Sequence, residues 1–186
     1  MNQSYTRTPG GRARRLRSPL AAIAALVAAG LLLWPLPAAA DNPAVGSRAP
    51  DFTFALPGGG IAKLSDYRGK PVALHFWATW CGPCIRELPL ISQLTDAKSP
   101  DMAVLAVNCA ETNQEVSAFL RNKNLNLNIV MDQTGKISQL YRIYAIPQTF
   151  LIDGEGVILS VKVGAYNQRE LNRDIAALLN ARLGKR

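Results

Sequence analysis

Histidine is almost absent from this 186-residue chain, which holds His75 alone, and cysteine is scarce, with Cys81, Cys84 and Cys109. A structural zinc takes four nitrogen or sulfur ligands, usually as two pairs at matched spacing, and no second pair exists here. Residues 41–186 also lack a phosphate loop of P-loop spacing, an internal repeat and any basic run with interleaved aromatics. Acidic residues are missing from positions 1–40, which carry five arginines: Arg7, Arg12, Arg14, Arg15 and Arg17. The formal charge of +8 is largely theirs, because without them 16 basic residues face 13 acidic ones, a net charge of +3. The basic excess therefore belongs to targeting and does not point to nucleic acid.

Those arginines precede an apolar run over residues 20–33, which together make a positive n-region and an h-region. Pro35 and Pro37 interrupt the helical pattern, and Ala38, Ala39 and Ala40 supply small residues before Asp41, so cleavage after Ala40 fits a secretory signal peptide. A retained anchor is the rival reading, since residues 20–40 are nearly uncharged and approach the roughly 20 residues that span a bilayer. Either way the arginines keep the N-terminus in the cytoplasm and place the rest of the chain outside. Residues 1–40 thus read as a signal peptide or N-terminal membrane anchor. Residues 41–186 are enough for one globular domain and do not suggest two.

What is present centres on Trp80, Cys81, Gly82, Pro83 and Cys84, where an apolar stretch over residues 71–77 hands over to a helix-like segment. The first turn of a helix offers unpaired N–H groups and the positive end of the macrodipole, which stabilise the thiolate of a leading cysteine. Cys81 therefore reads as the nucleophile and Cys84 as the resolving thiol of a reversible disulfide. The alternatives for such a pair are half of a metal site or an inert structural bridge.

Along the mature chain, strands and helices alternate. Residues 52–55 and 61–64 flank a proline- and glycine-rich break and predict a β-hairpin. Residues 72–77 and 102–108 are continuous apolar runs, as in strands covered on both faces. Helices are predicted over 81–97, where Pro89 should remove one hydrogen bond and kink the axis, over 114–124 and around 136–141. A short strand is expected at 129–131, and an antiparallel pair at 149–152 and 157–163 about Asp153, Gly154, Glu155 and Gly156. A closing helix aligns Leu171, Ile175, Leu178 and Arg182. Trp77, Tyr141 and Phe150 read as core, and Cys109 as a small buried hydrophobe.

Residues 76–84 resemble the active-site segment of thioredoxin-fold proteins, and further motifs resemble the TlpA, ResA and CcmG group of the AhpC/TSA-redoxin superfamily. Gly46, the run from Ala49 to Phe52 and the run from Leu64 to Lys70 are similar to that group's opening segment. Glu87, three residues after Cys84, Tyr141, Ile143 and the run from Ile146 to Asp153 extend the likeness over residues 45–180. The resemblance implies an α/β thioredoxin-like fold: a central mixed sheet flanked by helices, with an N-terminal β-hairpin and a central helix–strand insertion. It implies a cis bond before Pro147, which would present the Ile146 backbone to an incoming peptide for strand-like pairing. Trp80, Gly82, Pro83 and Ile146 would contact the partner. Glu87 would hold or carry the proton of Cys84, its alternative being an ordinary solvated helix residue. His75 departs from the group's pattern, lying six residues before Cys81 where an aspartate or asparagine is usual; it reads as a satisfied core residue or as a proton relay to the thiols.

The implied activity is that of a thiol:disulfide oxidoreductase, a protein-disulfide reductase outside the cytoplasm, in the periplasm or on the outer face of the cytoplasmic membrane. Its clients would be apocytochrome c or copper-site proteins, its electrons would come from a membrane thiol transporter of the DsbD or CcdA kind, and it would need no cofactor beyond the Cys81–Cys84 pair and no metal. A disulfide-introducing oxidase and a Cu(I)-binding metallochaperone module are the alternatives. A peroxidase is opposed by the missing threonine-to-cysteine pattern.

Overall fold

The structure, a computed structural model, describes residues 42–56, 58–98 and 101–183. The export or anchor segment 1–40, with its cleavage point after Ala40, lies outside the described residues, as does Pro57 of the predicted turn. Among the described residues no helix is long and apolar enough to cross a membrane.

The apolar run at 72–77 becomes β3 (Val72–Trp77), whose six residues are all buried. It lies parallel to β4 (Ala103–Cys109) and antiparallel to β6 (Gln148–Ile152). A strand with neighbours on both edges and helices above and below has no face for a polar residue, which is why its sequence does not alternate. β5 (Ile129–Asp132) extends the sheet parallel to β4, and β7 (Ile158–Val163) closes it antiparallel to β6. The order is β5-β4-β3-β6-β7. The expected N-terminal hairpin forms a separate two-stranded sheet, β1 (Thr53–Ala55) with β2 (Ile61–Lys63). A 3-10 turn over Leu64–Tyr67 follows it, held by Asp66, which accepts from the Lys63 N–H at 2.7 Å, and by Asp51, which accepts from the Ser65 N–H and hydroxyl.

Four helices among the described residues complete the fold: α1 (Gly82–Lys98), α2 (Asn113–Lys123), α3 (Lys136–Leu140) and α4 (Gln168–Leu183). α1 connects β3 to β4 and runs without a break through Pro89. The predicted helix–strand insertion is α2 with β5. α2 begins at a capping box, in which the Thr112 hydroxyl accepts from the Glu115 N–H and the Glu115 carboxylate accepts from the Thr112 N–H.

Alternation along β3 sorts side chains to two cores. Ala73 and Trp77 join Cys84, Leu88 and Ile91 of α1 and Leu171, Ile175 and Leu178 of α4. The side chain of Arg182 lies outside the described residues. Leu74 and Phe76 join Phe52, Phe54, Tyr141 and Phe150 on the opposite face. There the Tyr141 ring stands 5.1 Å from Phe150 and 5.5 Å from Phe76, and its hydroxyl donates to the Pro50 carbonyl at 2.7 Å. Trp77, Tyr141 and Phe150 are buried as expected.

Candidate active site

β3 ends at Trp77, and four residues later the chain turns into α1 at Cys81. The Cys81 carbonyl accepts from the Ile85 N–H at 3.0 Å, while its sulfur lies 3.2 Å from the Cys84 N–H that points at it. Cys81 thus occupies a capping position, its sulfur placed on a first-turn amide that has no intrahelical acceptor. The two cysteines are joined as a disulfide with their Cα atoms 5.2 Å apart. Exposure is unequal, 5% for Cys81 and none for Cys84, so an incoming group meets the leading sulfur first.

The bond between Ile146 and Pro147 is cis, and the Ile146 carbonyl oxygen lies 3.7 Å from the Cys81 sulfur. The Pro147 carbonyl accepts from the Gly164 N–H at 2.8 Å, tying this loop to the end of β7. Gly82 and Pro83 are exposed between the cysteines, and Trp80 is 71% exposed beside them. Tyr144, two residues before Ile146, is 81% exposed. Sequence reading missed Tyr144, because an isolated tyrosine in a loop carries no periodic signal.

Glu87 lies one turn into α1 on the side that faces the sheet. It is 2% exposed, and neither carboxylate oxygen has a hydrogen-bond partner among the described residues. Burial pushes its carboxyl up to about 7, although the nearby Tyr166 backbone and the Lys162 ammonium pull it down. The solvated alternative for Glu87 is therefore set aside.

His75 is wholly buried, and its Nδ1 lies 2.9 Å from the Thr149 hydroxyl on the neighbouring strand. Its Nε2 has no partner among the described residues, so the expectation of a fully satisfied core histidine holds for one ring nitrogen only. Burial lowers its pKa to about 4, which leaves the ring neutral at physiological pH. By alternation with Ala73 and Trp77, His75 sits on the sheet face that carries α1.

A buried brace that sequence reading did not find supports the turn before Cys81. Glu111 accepts from the Thr79 N–H at 2.7 Å, from the Thr79 hydroxyl, and from the Asn108 side-chain amide at 2.6 Å. Its signal was hidden because Thr79 and Glu111 lie 32 positions apart. Cys109, at the end of β4, is half-buried, with the Ser138 hydroxyl 3.5 Å from its sulfur. Burial raises its pKa, and Asp132 and Glu111 add to that while Ser138 and the Trp77 backbone oppose it. No group of three or more histidine, cysteine, aspartate or glutamate side chains among the described residues is placed to hold a metal ion.

This arrangement matches known proteins. The AhpC/TSA family pattern covers residues 45–161. The thiol-disulfide oxidoreductase ResA of Geobacillus kaustophilus is 38% identical over 136 residues, 73% of this chain and 78% of that protein. A Chlorobium tepidum structure described as the thiol:disulfide interchange protein DsbE superposes with a TM-score of 0.67 at 33% identity, covering 73% of this chain and 98% of the other. A secreted Mycobacterium tuberculosis disulfide oxidoreductase homologous to DsbE gives a TM-score of 0.61 at 27% identity, covering 68% and 96%. The protein carries the paired cysteines that such thiol:disulfide exchange requires, and its clients are disulfide-containing proteins. The chain belongs to the AhpC/TSA family and, within it, to the TlpA/ResA/CcmG-like thioredoxin-fold thiol:disulfide oxidoreductases.

Proposed function

We propose that this oxidoreductase works outside the cytoplasm as a reductant of protein disulfides, serving apocytochrome c or a copper-site protein whose cysteines must be reduced before they take haem or metal. The observation that carries the reading is the unequal pair: a leading sulfur at a helix start against the Ile146 carbonyl, and a sealed second sulfur with an unpartnered carboxylate one turn behind it. Export is supported by the arginines and apolar run of residues 1–40 and by the secreted relative. Electrons would arrive from a membrane thiol transporter of the DsbD or CcdA kind, and the Cys81–Cys84 pair would be the whole redox apparatus, without further cofactor or metal.

In the reaction, the Cys81 thiolate attacks one sulfur of the client disulfide. The client S–S bond breaks, a mixed disulfide forms, and the departing client thiolate takes a proton from solvent. Ionised Glu87 then accepts the proton of Cys84, whose thiolate attacks the Cys81 sulfur. The mixed disulfide breaks and Glu87 passes its proton to the second client thiolate, so the client has gained two electrons from the enzyme, one proton from Cys84 and one from solvent. The cis bond at Pro147 turns the Ile146 carbonyl toward the sulfur, where a client strand can pair with it. Trp80, Gly82 and Pro83 form the exposed contact surface, and His75 is a candidate relay through its free Nε2.

The test is the equilibrium reduction potential of the purified protein against a defined thiol buffer. A value near or below about −230 mV supports a dedicated reductant, whereas one near about −120 mV marks a disulfide-introducing oxidase and overturns the reading. Stoichiometric Cu(I) that survives dialysis, with no turnover of dithiol, would instead assign the pair to metal delivery.

A further inference from the structure

Position 82, directly after Cys81, is a glycine, and Arg86 of the next turn of α1 reaches back over it: a Cβ on Gly82 would stand 3.7 Å from the Arg86 Nη1. Both residues are exposed. The guanidinium shares no ion pair with another described side chain. Residues 77–86 hold no acid, and neither do residues 142–152 around Pro147, whose own cation, Arg142, is also exposed. The carboxylates nearest along the chain are sealed. Glu87 is 2% exposed, and Glu111, at 8%, spends its oxygens on Thr79 and Asn108. Helix energetics do not explain Arg86. The first turn of α1 carries no acid to meet it, and a cation beside the positive end of a helix macrodipole is repelled rather than held.

We propose that Arg86 is a specificity-determining residue that selects client segments carrying a carboxylate beside the cysteine under attack. The proposal deepens the reading of this protein as a reductant whose Cys81 meets the client disulfide, and it rests on that reading. In the mixed disulfide the client cysteine is bonded to Cys81, and its neighbours in an extended strand fall within about 3–7 Å of it. Gly82, one residue from Cys81, lies in the same range on the enzyme side. A client aspartate or glutamate there meets a planar guanidinium whose fork matches both carboxylate oxygens. No internal ion pair has to break for that contact to form, because Arg86 has none. Trp80, before Cys81, and Tyr144, on the loop that carries Ile146, add exposed ring area without charge. The arginines therefore set the sign of the preference.

The experiment uses three synthetic peptides with an internal disulfide, identical except for glutamate, glutamine or lysine next to the leading cysteine. Oxidation of the reduced full chain by each peptide is followed in stopped flow by tryptophan fluorescence. Rates of wild type and variant are compared peptide by peptide, which cancels the intrinsic reactivity of each disulfide. Arg86→Gln is expected to lose about fivefold more with the glutamate peptide than with the glutamine peptide, and to gain with the lysine peptide relative to both. The gap should close at about 0.5 M salt, and Arg86→Lys should keep most of the preference. A purely structural role, or an effect on the Cys81 thiolate alone, changes all three rates by one factor. Such a uniform change, or no change with the glutamate peptide, overturns the proposal. An oxidising reduction potential overturns the reductant reading alone, and the same ratios are then measured with the oxidised chain and reduced peptides under the same criteria.

Discussion

Two buried ionisable residues, Glu87 and His75, give opposite pH signatures within nearly the same window. The Glu87 carboxyl titrates at about 7 in the fold against an ordinary value of 4.5, so the fold prefers it protonated. Its contribution to stability is full below about pH 4.5 and is lost as pH rises through 7. His75 titrates at about 4 against 6.5, so its contribution is full above about pH 6.5 and is lost as pH falls through 4. The two slopes oppose each other, and their sum is nearly flat across the window they share. Single substitutions should expose them. E87Q is expected to gain stability over wild type as pH rises from 4.5 to 7, levelling at about 2–3 kcal/mol, and H75N should abolish acid destabilisation between pH 6.5 and 4, both read by urea melts across pH. Equal pH slopes in wild type and E87Q would refute the burial account. The kinetic counterpart is that mixed-disulfide collapse slows as pH falls below about 7, and that E87Q lowers this rate about a hundredfold and flattens its pH profile in stopped-flow measurements. The sequence made the cysteines and the existence of Glu87 legible. Its burial was not, because a lone glutamate in a helix looks the same whichever face it occupies.

At the scale of elements, the active-site turn is held by a contact between segments rather than by its own residues. The Glu111 carboxylate bonds Thr79 and Asn108 at once, joining the loop after β3 to the end of β4. Removing it leaves the Thr79 amide and the Asn108 side chain without their acceptor. Glu111→Ala is therefore expected to destabilise the fold by about 2–4 kcal/mol in denaturant melts. Thr112→Ala, next in the chain, should lower stability by only about 1 kcal/mol, the usual loss for a helix cap, and leave disulfide exchange rates unchanged. A similar cost for both variants would show that the brace adds nothing beyond local capping. Strands β3 and β4 could be read from uninterrupted apolar runs to within a residue or so, and the helix expected at 114–124 matches α2 to within one residue at each end. The 3-10 turn at Leu64–Tyr67 was missed, since its bonds come from Asp51 and Asp66 rather than from a periodic pattern. The same limit hid the Glu111 brace. Patterns along a chain report which face a residue takes, whereas pairings across 32 positions need the fold itself.

For the whole molecule, the sheet separates redox chemistry from much of the stabilising core. One face carries Cys84, Leu88, Trp77 and α4, and the other carries the aromatic group of Phe52, Phe76, Tyr141 and Phe150. A reduction potential reflects the difference in stability between oxidised and reduced folds, so a change that weakens both equally leaves it in place. Tyr141→Phe removes the hydroxyl that donates to the Pro50 carbonyl while keeping the ring contacts, and should lower the stability of both redox forms by about 1 kcal/mol. Its potential should match that of wild type. Leu88→Ala, one turn from Cys84 in the same core, should lower stability by about 2–5 kcal/mol. It should also move the potential, by roughly 20 mV for each kcal/mol by which the two forms differ. Redox titrations paired with melts of both forms measure each term. A shifted potential in Tyr141→Phe would show that the two faces are coupled through the sheet, whereas an unshifted one means that the aromatic side can vary in sequence without retuning the cysteines.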